Sequence, residues 1–288
     1  SGPYADLRPK LQAIDTNAQA AVDERLRLAS NGALEWADIH VDDPQWYQNA
    51  LPAFSNRMAV NGFYPLLQRV WSVLTCADKL DAADVPLSST ISRPNYQRID
   101  FENDATGIKQ TLNERRSQAQ ADVSERLSTL ADGSGDVFTL TLPTGFGKTF
   151  AGLKAALEHA EAVDGRVIYA LPYTTILDQV DDDIRTHLGV SPVSEHYTLH
   201  HHLADTRTKI GDQHETVSDG SEMLYAESWQ AGLVLTTFVQ LFESLAGPAN
   251  TQSVKLPALQ DAVIIVDEPQ VLPREWWRLV THLIEMLT

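Results

Sequence analysis

The chain has 288 residues, enough for one or two domains, and 43% of them are hydrophobic while 21% are charged. Its single cysteine, Cys76, excludes an intrachain disulfide, and no apolar run reaches the roughly 20 residues that a membrane span needs. The N-terminal residues lack the basic and then apolar pattern of a signal peptide. We therefore expect a cytoplasmic protein without a membrane partner.

The formal net charge of −17 is unusual for a protein that binds nucleic acid, because neutralising phosphates requires Lys and Arg. Two interpretations are open. A local groove that the net charge hides could bind nucleic acid, or the whole surface is acidic because the host cytoplasm is very salty. Asp and Glu are spread along the chain rather than collected in a tail, which favours the second interpretation. It predicts that the protein loses structure when salt is removed.

The first part of the chain is predicted to be helical. Apolar residues recur at roughly helical spacing over 3–29, and a second, more apolar helix is predicted over 63–84. Residues 86–106 carry two prolines and a Ser/Thr cluster, which is typical of a connector. We therefore predict a helical domain over 1–88, a linker over 89–108 and a second domain over 109–288.

Beyond the linker the pattern changes to alternating helices and strands. A polar helix is predicted over 109–131, and a polar surface loop over 203–222. Short, almost continuous apolar runs occur between helical stretches, as expected for strands buried on both faces; these runs are 137–142, 166–171, 232–237 and 262–267. Strands that alternate with helices predict an α/β fold with a parallel sheet.

The strongest motif is a phosphate-binding loop, PTGFGKT, between the first apolar run and an amphipathic helix. Glycines let the backbone N–H groups approach phosphate oxygens, and the start of the helix directs its positive dipole end at the same anion. Lys148 supplies a charge for the outer phosphates of ATP, and Thr149 offers a hydroxyl to Mg²⁺. Leu142 stands where the general phosphate-loop pattern has its first glycine, and the remaining spacing is that of superfamily 2 helicases. The candidate ATP-binding residues here are Thr144, Gly145, Phe146, Gly147, Lys148 and Thr149.

The second motif is the pair of carboxylates that follows the apolar run 262–267, in AVIIVDEPQ. Ligands of parallel α/β sheets lie at the carboxyl ends of the strands. Asp267 is therefore predicted to hold Mg²⁺ beside Thr149, and Glu268 to orient and deprotonate the attacking water. Lys148 and Glu268 are the predicted catalytic residues.

Two pairs of threonines lie at strand–helix junctions, where hydroxyls and N–H groups can contact a phosphate backbone. We predict nucleic-acid contacts at Thr174, Thr175, Thr236 and Thr237, although each pair taken alone is more typical of a helix cap. The four histidines at 196 and 200–202 are predicted to lie in a solvated loop, because their spacing fits no metal site. Trp276 and Trp277 are predicted to be core or domain-contact residues.

The chain resembles the CRISPR-associated helicase–nucleases of type I interference systems, in four segments that occur in the expected order. These segments are TLTLPTGFGKTFAGLKAAL, RVIYALPYTTILDQ, LVLTTFVQLFESL and AVIIVDEPQVLPREWW. The resemblance implies that residues 109–288 form a first RecA-like domain. In helicases of this class a Gln ahead of the phosphate loop contacts adenine, with an Arg nearby, and Gln118 and Arg115 are the matching residues. A second RecA-like domain is missing from this pattern, so we expect a fragment that binds magnesium-ATP weakly and hydrolyses it poorly.

The resemblance also implies that residues 1–88 correspond to the end of an HD-type nuclease domain. Asp78 would match a carboxylate of that domain's site for a divalent transition metal, but the hallmark His-Asp pair is absent, and His40-Val41-Asp42 does not replace it. The activity implied is ATP-dependent translocation on single-stranded DNA, recruited by a CRISPR RNA-guided surveillance complex and coupled to a nuclease. Spacing alone predicts less, namely an ATPase stimulated by nucleic acid.

Three alternatives share these ATP-site residues. One is a superfamily 2 RNA helicase, and another is the DNA translocase of a restriction system. Both would be distinguished by the nucleic acid that stimulates hydrolysis. The third is a module without catalysis, in which ATP only alters a docking surface. In that module Glu268→Gln would leave function intact, whereas in a motor it would abolish turnover while ATP binding is retained.

Overall fold

The computed structural model of the chain describes residues 63–85, 90–99, 108–130, 137–201, 220–247, 249–278 and 280–281. The chain divides into two compact units, 1–70 and 71–288. The described residues of the first unit, 63–70, are all helical. The helix predicted over 3–29 and most of the loop predicted over 203–222 lie outside the described residues. The domain boundaries proposed from the sequence remain predictions.

The described elements alternate between helices and strands after the first two helices. The helices are α1 Phe63–Ala82, α2 Ile108–Leu130, α3 Lys148–Ala162, α4 Thr174–Leu188, α5 Gly220–Glu227, α6 Phe238–Ala246 and α7 Asn250–Ser253. The strands are β1 Val167–Leu171, β2 Tyr197–His200, β3 Leu233–Thr237 and β4 Val263–Val266. Short 3₁₀ turns occupy Tyr96–Arg98, Leu256–Leu259, Pro269–Val271 and Arg274–Trp276.

The four strands form one parallel sheet in the order β2-β3-β1-β4. The register pairs Tyr169 of β1 with Leu235 of β3 on one side and with Ile265 of β4 on the other. All strands therefore end at the same edge of the sheet, where the loops after β1 and β4 meet. The predicted α/β class with a parallel sheet is confirmed, as are the strands predicted within 166–171, 232–237 and 262–267.

Helices cover both faces of the sheet, because successive side chains of a strand point to opposite faces. Val167, Tyr169 and Leu171 of β1 belong to a buried cluster that includes side chains of α3 and α4. Ile168 and Ala170 belong to a second buried cluster, with side chains of α6 and Trp229. The continuous apolar runs of β1 and β3 thus reflect strands that are desolvated from both sides, whereas β4 is half-buried.

Residues 137–142, which the sequence predicts to be a strand, have no regular secondary structure. An apolar run suits a strand, but it becomes one only by pairing with a neighbour, and within the described residues β4 pairs with β1 alone. Val137 is 65% exposed, and Phe138 and Leu140 are also exposed. The prediction of a strand here is wrong for the structure described. β2, in contrast, was not predicted, because YTLH is short and carries no apolar run.

The part of α1 that belongs to the second unit has its own small core. Cys76 and Leu80 are buried and cluster with Val254, which follows α7. Burial raises the pKa of the Cys76 thiol. The prediction that Cys76 is a small core residue is therefore confirmed. None of the described helices is both long and apolar enough to span a membrane.

Candidate functional site

The phosphate loop turns sharply at two glycines before α3 begins. Gly145 has φ +85° and Gly147 has φ +72°, both in the left-handed region that other residues rarely adopt. A side chain at Gly145 would meet no atom within 4 Å, so this position is open toward solvent. Gly147 precedes the first residue of α3, and no side chain caps the helix at this point. The first-turn N–H groups of α3 are therefore available to an anion.

Lys148, the first residue of α3, connects the loop to the predicted acidic pair. Its Nζ lies 3.0 Å from Asp267 Oδ1 and also donates a hydrogen bond to Glu268 Oε1. The pKa of Lys148 is raised, mainly by its hydrogen bond to Glu268. The two motifs, separated by more than a hundred residues in the sequence, therefore form one site.

Asp267 is held by the strand next to its own. Its backbone N–H donates to the carbonyl of Ala170 (3.1 Å), which continues the β1–β4 ladder by one residue. Its Oδ2 accepts a hydrogen bond from the hydroxyl of Tyr169 (2.9 Å). With Oδ1 facing Lys148, both carboxylate oxygens have a defined partner.

Glu268 leaves the sheet in a left-handed conformation, with φ +56° and ψ +46°. This conformation is uncommon for a residue with a side chain. Its carboxylate accepts hydrogen bonds from Lys148 and from the Gln270 amide, and these bonds lower its pKa, with Lys148 the larger cause. The turn Pro269–Val271 then carries the chain away from the strand.

The oxygens around Lys148 have the chemistry of a magnesium site. Mg²⁺ prefers hard oxygen ligands, a carboxylate or two together with substrate phosphates. Asp267 supplies a carboxylate, and Thr149, in the first turn of α3, supplies a hydroxyl. These residues fit the ion that an ATP-binding loop of this kind requires.

Comparison with known proteins decides the family. Residues 110–286 match the family described as "Type III restriction enzyme, res subunit". The chain belongs to this family. It is also 38% identical, over 243 residues, to a protein of Haloferax volcanii named "CRISPR-associated nuclease/helicase Cas3". The match covers 76% of this chain and 26% of that protein, so the chain spans about a quarter of its relative. The resemblance inferred from the motifs is confirmed.

Within this restriction-enzyme-like domain, the helix before the phosphate loop contacts the loop through an unpredicted residue. Arg116 Nε of α2 donates to the carbonyl of Gly145 (2.8 Å). The predicted adenine-contacting residue, Gln118, is exposed, and its amide donates to Asp122 of the same helix (2.7 Å). The predicted Arg115 is exposed as well. Arg116 is the arginine of this pair that contacts the loop, and the adenine contact of Gln118 with Arg115 nearby stays a prediction.

The four predicted nucleic-acid contacts fall into two groups. Thr174 and Thr175 open α4, where Thr175 is exposed and Thr174 is half-buried. Thr236 is fully buried, and its hydroxyl donates to the carbonyl of His200 (2.9 Å). The Thr237 hydroxyl caps α6 by accepting from the N–H of Gln240 (3.3 Å). The hydroxyls of the second pair therefore have intramolecular partners, and contacts with nucleic acid remain predictions at all four positions.

Several other polar residues lie elsewhere than the sequence predicts. His200 and His201 are buried, although a solvated loop is predicted for them, because β2 joins the sheet beside β3. Burial lowers the pKa of His200 to about 3, and Lys255 and His201 add to the effect. Trp276 and Trp277 are exposed within their unit, so they are not core residues there, and the domain contact stays a prediction. Asp78 is exposed on α1, and no group of three His, Cys, Asp or Glu side chains suited to a metal occurs among the residues that the structure describes.

Proposed function

We propose that this chain carries the first RecA-like domain, residues 109–288, of an ATP-driven motor that moves along single-stranded DNA in type I CRISPR defence. The observation that carries the proposal is the contact of Lys148 with both Asp267 and Glu268. It brings together, at one edge of the sheet, the lysine that we propose for the phosphates and the carboxylates that we propose for the metal and for the attacking water. The named relative supplies the biological setting, since it is described as a CRISPR-associated nuclease/helicase.

The loop and the helix behind it would bind the phosphates of ATP. The backbone of Thr144, Gly145, Phe146 and Gly147 would surround them, with the α3 dipole adding a favourable field. Lys148 would exchange its carboxylate partners for the outer phosphate oxygens, which carry a similar charge. Arg116 supports the loop by fixing the Gly145 carbonyl, and Gln118 is proposed to contact the adenine.

Thr149 and Asp267 would hold Mg²⁺, which when bound neutralises charge on the β- and γ-phosphates. Glu268 would orient and deprotonate the water that attacks the γ-phosphate. Its carboxylate is held by Lys148 and Gln270, and the Lys148 contact lowers its pKa. Movement of Lys148 to the phosphates would remove that influence and make Glu268 a stronger base. Binding of the substrate and activation of the base would then be coupled through one lysine.

The nucleic acid would lie at the sheet edge where β1 and β3 end. Thr175 at the start of α4 is exposed, Thr174 beside it is half-buried, and no side chain caps this end of the helix. We propose that a CRISPR RNA-guided surveillance complex presents the displaced single strand to this edge. The nuclease part of the proposal rests on the relative's name, because the chain lacks the His-Asp pair of an HD-type metal site.

A restriction-type DNA translocase is the second candidate function. It is favoured by the description of the matching family, which names the res subunit of a type III restriction enzyme. Such a protein would use the same ATP residues but would act on duplex DNA. An RNA helicase is the third candidate and shares the same site. The residues of the ATP site therefore cannot distinguish the three candidate functions. The nucleic acid that stimulates ATP hydrolysis can.

The test is ATP hydrolysis by this chain together with a second RecA-like domain, in high KCl. Single-stranded DNA, single-stranded RNA and duplex DNA are compared. We expect strong stimulation by single-stranded DNA alone, and loss of hydrolysis in Lys148→Ala. Lys154→Ala is the matched control, since Lys154 lies on the same helix but contacts the carbonyl of Ile99 (3.3 Å). Stimulation chiefly by duplex DNA would favour the restriction-type translocase, and stimulation chiefly by RNA would favour the RNA helicase. Hydrolysis by Lys148→Ala would contradict the assigned ATP site.

A further inference from the structure

Tyr169 is a buried polar residue to which the ATP motifs assign no role. It is the third residue of β1, only 1% exposed, and its side chain lies on the face of the sheet that α3 covers. Its hydroxyl donates to Asp267 Oδ2 (2.9 Å). This phenol thus contacts the carboxylate that follows β4.

The direction of this hydrogen bond follows from the chemistry of the groups. A phenol has one proton, and Tyr169 donates it to the Asp267 carboxylate, which can only accept.

This hydrogen bond leaves the second carboxylate oxygen of Asp267 for other partners. With Oδ2 bound to Tyr169, Asp267 directs Oδ1 toward Lys148, the side where phosphates would enter. The backbone of Asp267 is fixed as well, through its N–H bond to Ala170. Outer partners of this kind orient metal ligands in proteins.

A second buried tyrosine in the same unit, Tyr197, makes the same type of hydrogen bond to an aspartate that is not part of the proposed ATP site. Tyr197 of β2 is fully buried, and its hydroxyl donates to Asp181 Oδ1 (2.5 Å). Asp181 belongs to α4, and its other oxygen accepts from Arg185 of the same helix (3.4 Å). Neither carboxylate oxygen of Asp181 faces the phosphate loop. The two Tyr–Asp pairs therefore share their chemistry and burial but differ in their contact with the ATP site.

We propose that Tyr169 is a positioning residue of the magnesium site, which aligns Asp267 for the metal through its single hydroxyl. This inference rests on the proposed function, because it assumes that the site binds magnesium-ATP. Tyr169 itself touches neither the metal nor the nucleotide. Its loss should therefore weaken the dependence of nucleotide binding on Mg²⁺ and leave the metal-independent part of binding unchanged.

The test compares Tyr169→Phe with Tyr197→Phe in this chain. Each variant keeps its ring in the core and loses one hydroxyl. Binding of a fluorescent ATP analogue is titrated at rising Mg²⁺ concentrations and in EDTA. For Tyr169→Phe we expect the Mg²⁺ concentration at half-maximal binding to rise at least about tenfold, the effect typical of a lost outer partner. Affinity in EDTA should match the wild type, and Tyr197→Phe should match it in both titrations.

Thermal unfolding of the two variants separates positioning from packing. Each should lose stability to a similar degree, since each leaves a carboxylate without its buried donor. A double variant, Tyr169→Phe with Asp267→Asn, measures how far the two side chains depend on each other in the Mg²⁺ dependence of nucleotide binding. Because Tyr169 acts through Asp267, the tyrosine substitution should add little to the loss of Mg²⁺ dependence that Asp267→Asn causes. Additive losses would overturn the positioning role.

The outcomes distinguish the two levels of the proposal. If the wild-type chain binds nucleotide with a clear Mg²⁺ dependence that Tyr169→Phe leaves unchanged, the role of Tyr169 is overturned and the ATP site stands. If the wild-type chain shows no Mg²⁺-dependent nucleotide binding, the proposed function fails, and the inference fails with it. Equal shifts in Tyr169→Phe and Tyr197→Phe would reduce the tyrosine to a general contributor to stability.

Discussion

Lys148 and Glu268 are hydrogen-bonded to each other although 120 positions separate them in the sequence. The contact raises the pKa of the lysine and lowers that of the carboxylate, so each group is held in its charged form. In the proposed reaction these groups act on different parts of the substrate, Lys148 on the phosphates and Glu268 on the water. Their contact therefore has to open before the site can work.

Glu268→Gln should separate binding from turnover. The amide keeps the shape of the side chain but cannot take a proton, so we expect single-turnover hydrolysis to fall by about 10²–10⁴-fold. ATP affinity should be retained or slightly higher, because Lys148 loses one anionic competitor. Glu275→Gln, at an exposed position in the next turn, is the control. Unchanged hydrolysis in Glu268→Gln would contradict the assignment of Glu268 as the base.

The two adjacent arginines of α2 allow a test of the residue that the sequence did not identify. Arg116→Ala removes the bond to the Gly145 carbonyl and should weaken nucleotide binding by roughly 2–10-fold, the range expected for one partly exposed hydrogen bond. Arg115→Ala removes the same charge from the exposed side of the helix and should have a smaller effect. Isothermal titration measures both. A larger loss of nucleotide affinity in Arg115→Ala than in Arg116→Ala would support Arg115, the arginine that the sequence predicts beside Gln118.

His200 should make the fold sensitive to acid. Its pKa is about 3 in the folded chain and about 6.5 when unfolded, mainly because burial disfavours the charged form. Between about pH 3 and pH 6.5 the unfolded chain binds the proton and the folded chain does not. The contribution of His200 to the free energy of unfolding is therefore fully present above about pH 6.5, and it is lost progressively as the pH falls below that value. The contribution amounts to about 1.4 kcal/mol per pH unit in this window.

Urea denaturation at pH values from 4.5 to 7 measures this effect. His200→Gln cannot take up the proton, so its stability should fall less steeply with acid than that of the wild type, whatever its absolute value. His196→Gln, at an exposed position on the same stretch of chain, should keep the wild-type slope. Equal slopes in the wild type and in His200→Gln would show that the buried histidine does not cause the sensitivity.

The net charge of −17 predicts a dependence on salt. Repulsion among acidic side chains opposes the compact state, and added ions screen it over a Debye length of about 10 Å at 0.1 M and about 3 Å at 1 M. We expect the thermal unfolding midpoint to rise steadily as KCl is increased from dilute buffer into the molar range. A chain that is fully folded and equally stable in dilute buffer would contradict an adaptation to high salt.

Motifs with fixed local geometry could be predicted from the sequence. The phosphate loop needs its glycines and its lysine at set positions, and the apolar runs of β1, β3 and β4 need no knowledge of their partners to be read as buried strands. Lys148, Asp267 and Glu268 were therefore predicted to share one site, and their contacts support this.

Features that depend on distant partners could not be predicted. Residues 137–142 have the apolarity of a strand, but the described sheet gives them no neighbour. β2 is the opposite case, since pairing with β3 makes a strand of a polar segment and buries His200. Tyr169 has the pattern of any core residue of β1. Only the register that sets β1 beside β4, and the packing of α3 over both, brings its hydroxyl to Asp267.

The carboxylates of Asp267 and Glu268 are neighbours in sequence but differ in how they are anchored. Asp267 is tied to β1 twice, through the Ala170 carbonyl and the Tyr169 hydroxyl. Glu268 has already turned into a left-handed conformation, and its side-chain partners are Lys148 and Gln270. If phosphates draw Lys148 away, we therefore expect Asp267 to keep its place at the end of the sheet and Glu268 to move, together with the turn Pro269–Val271 that follows it.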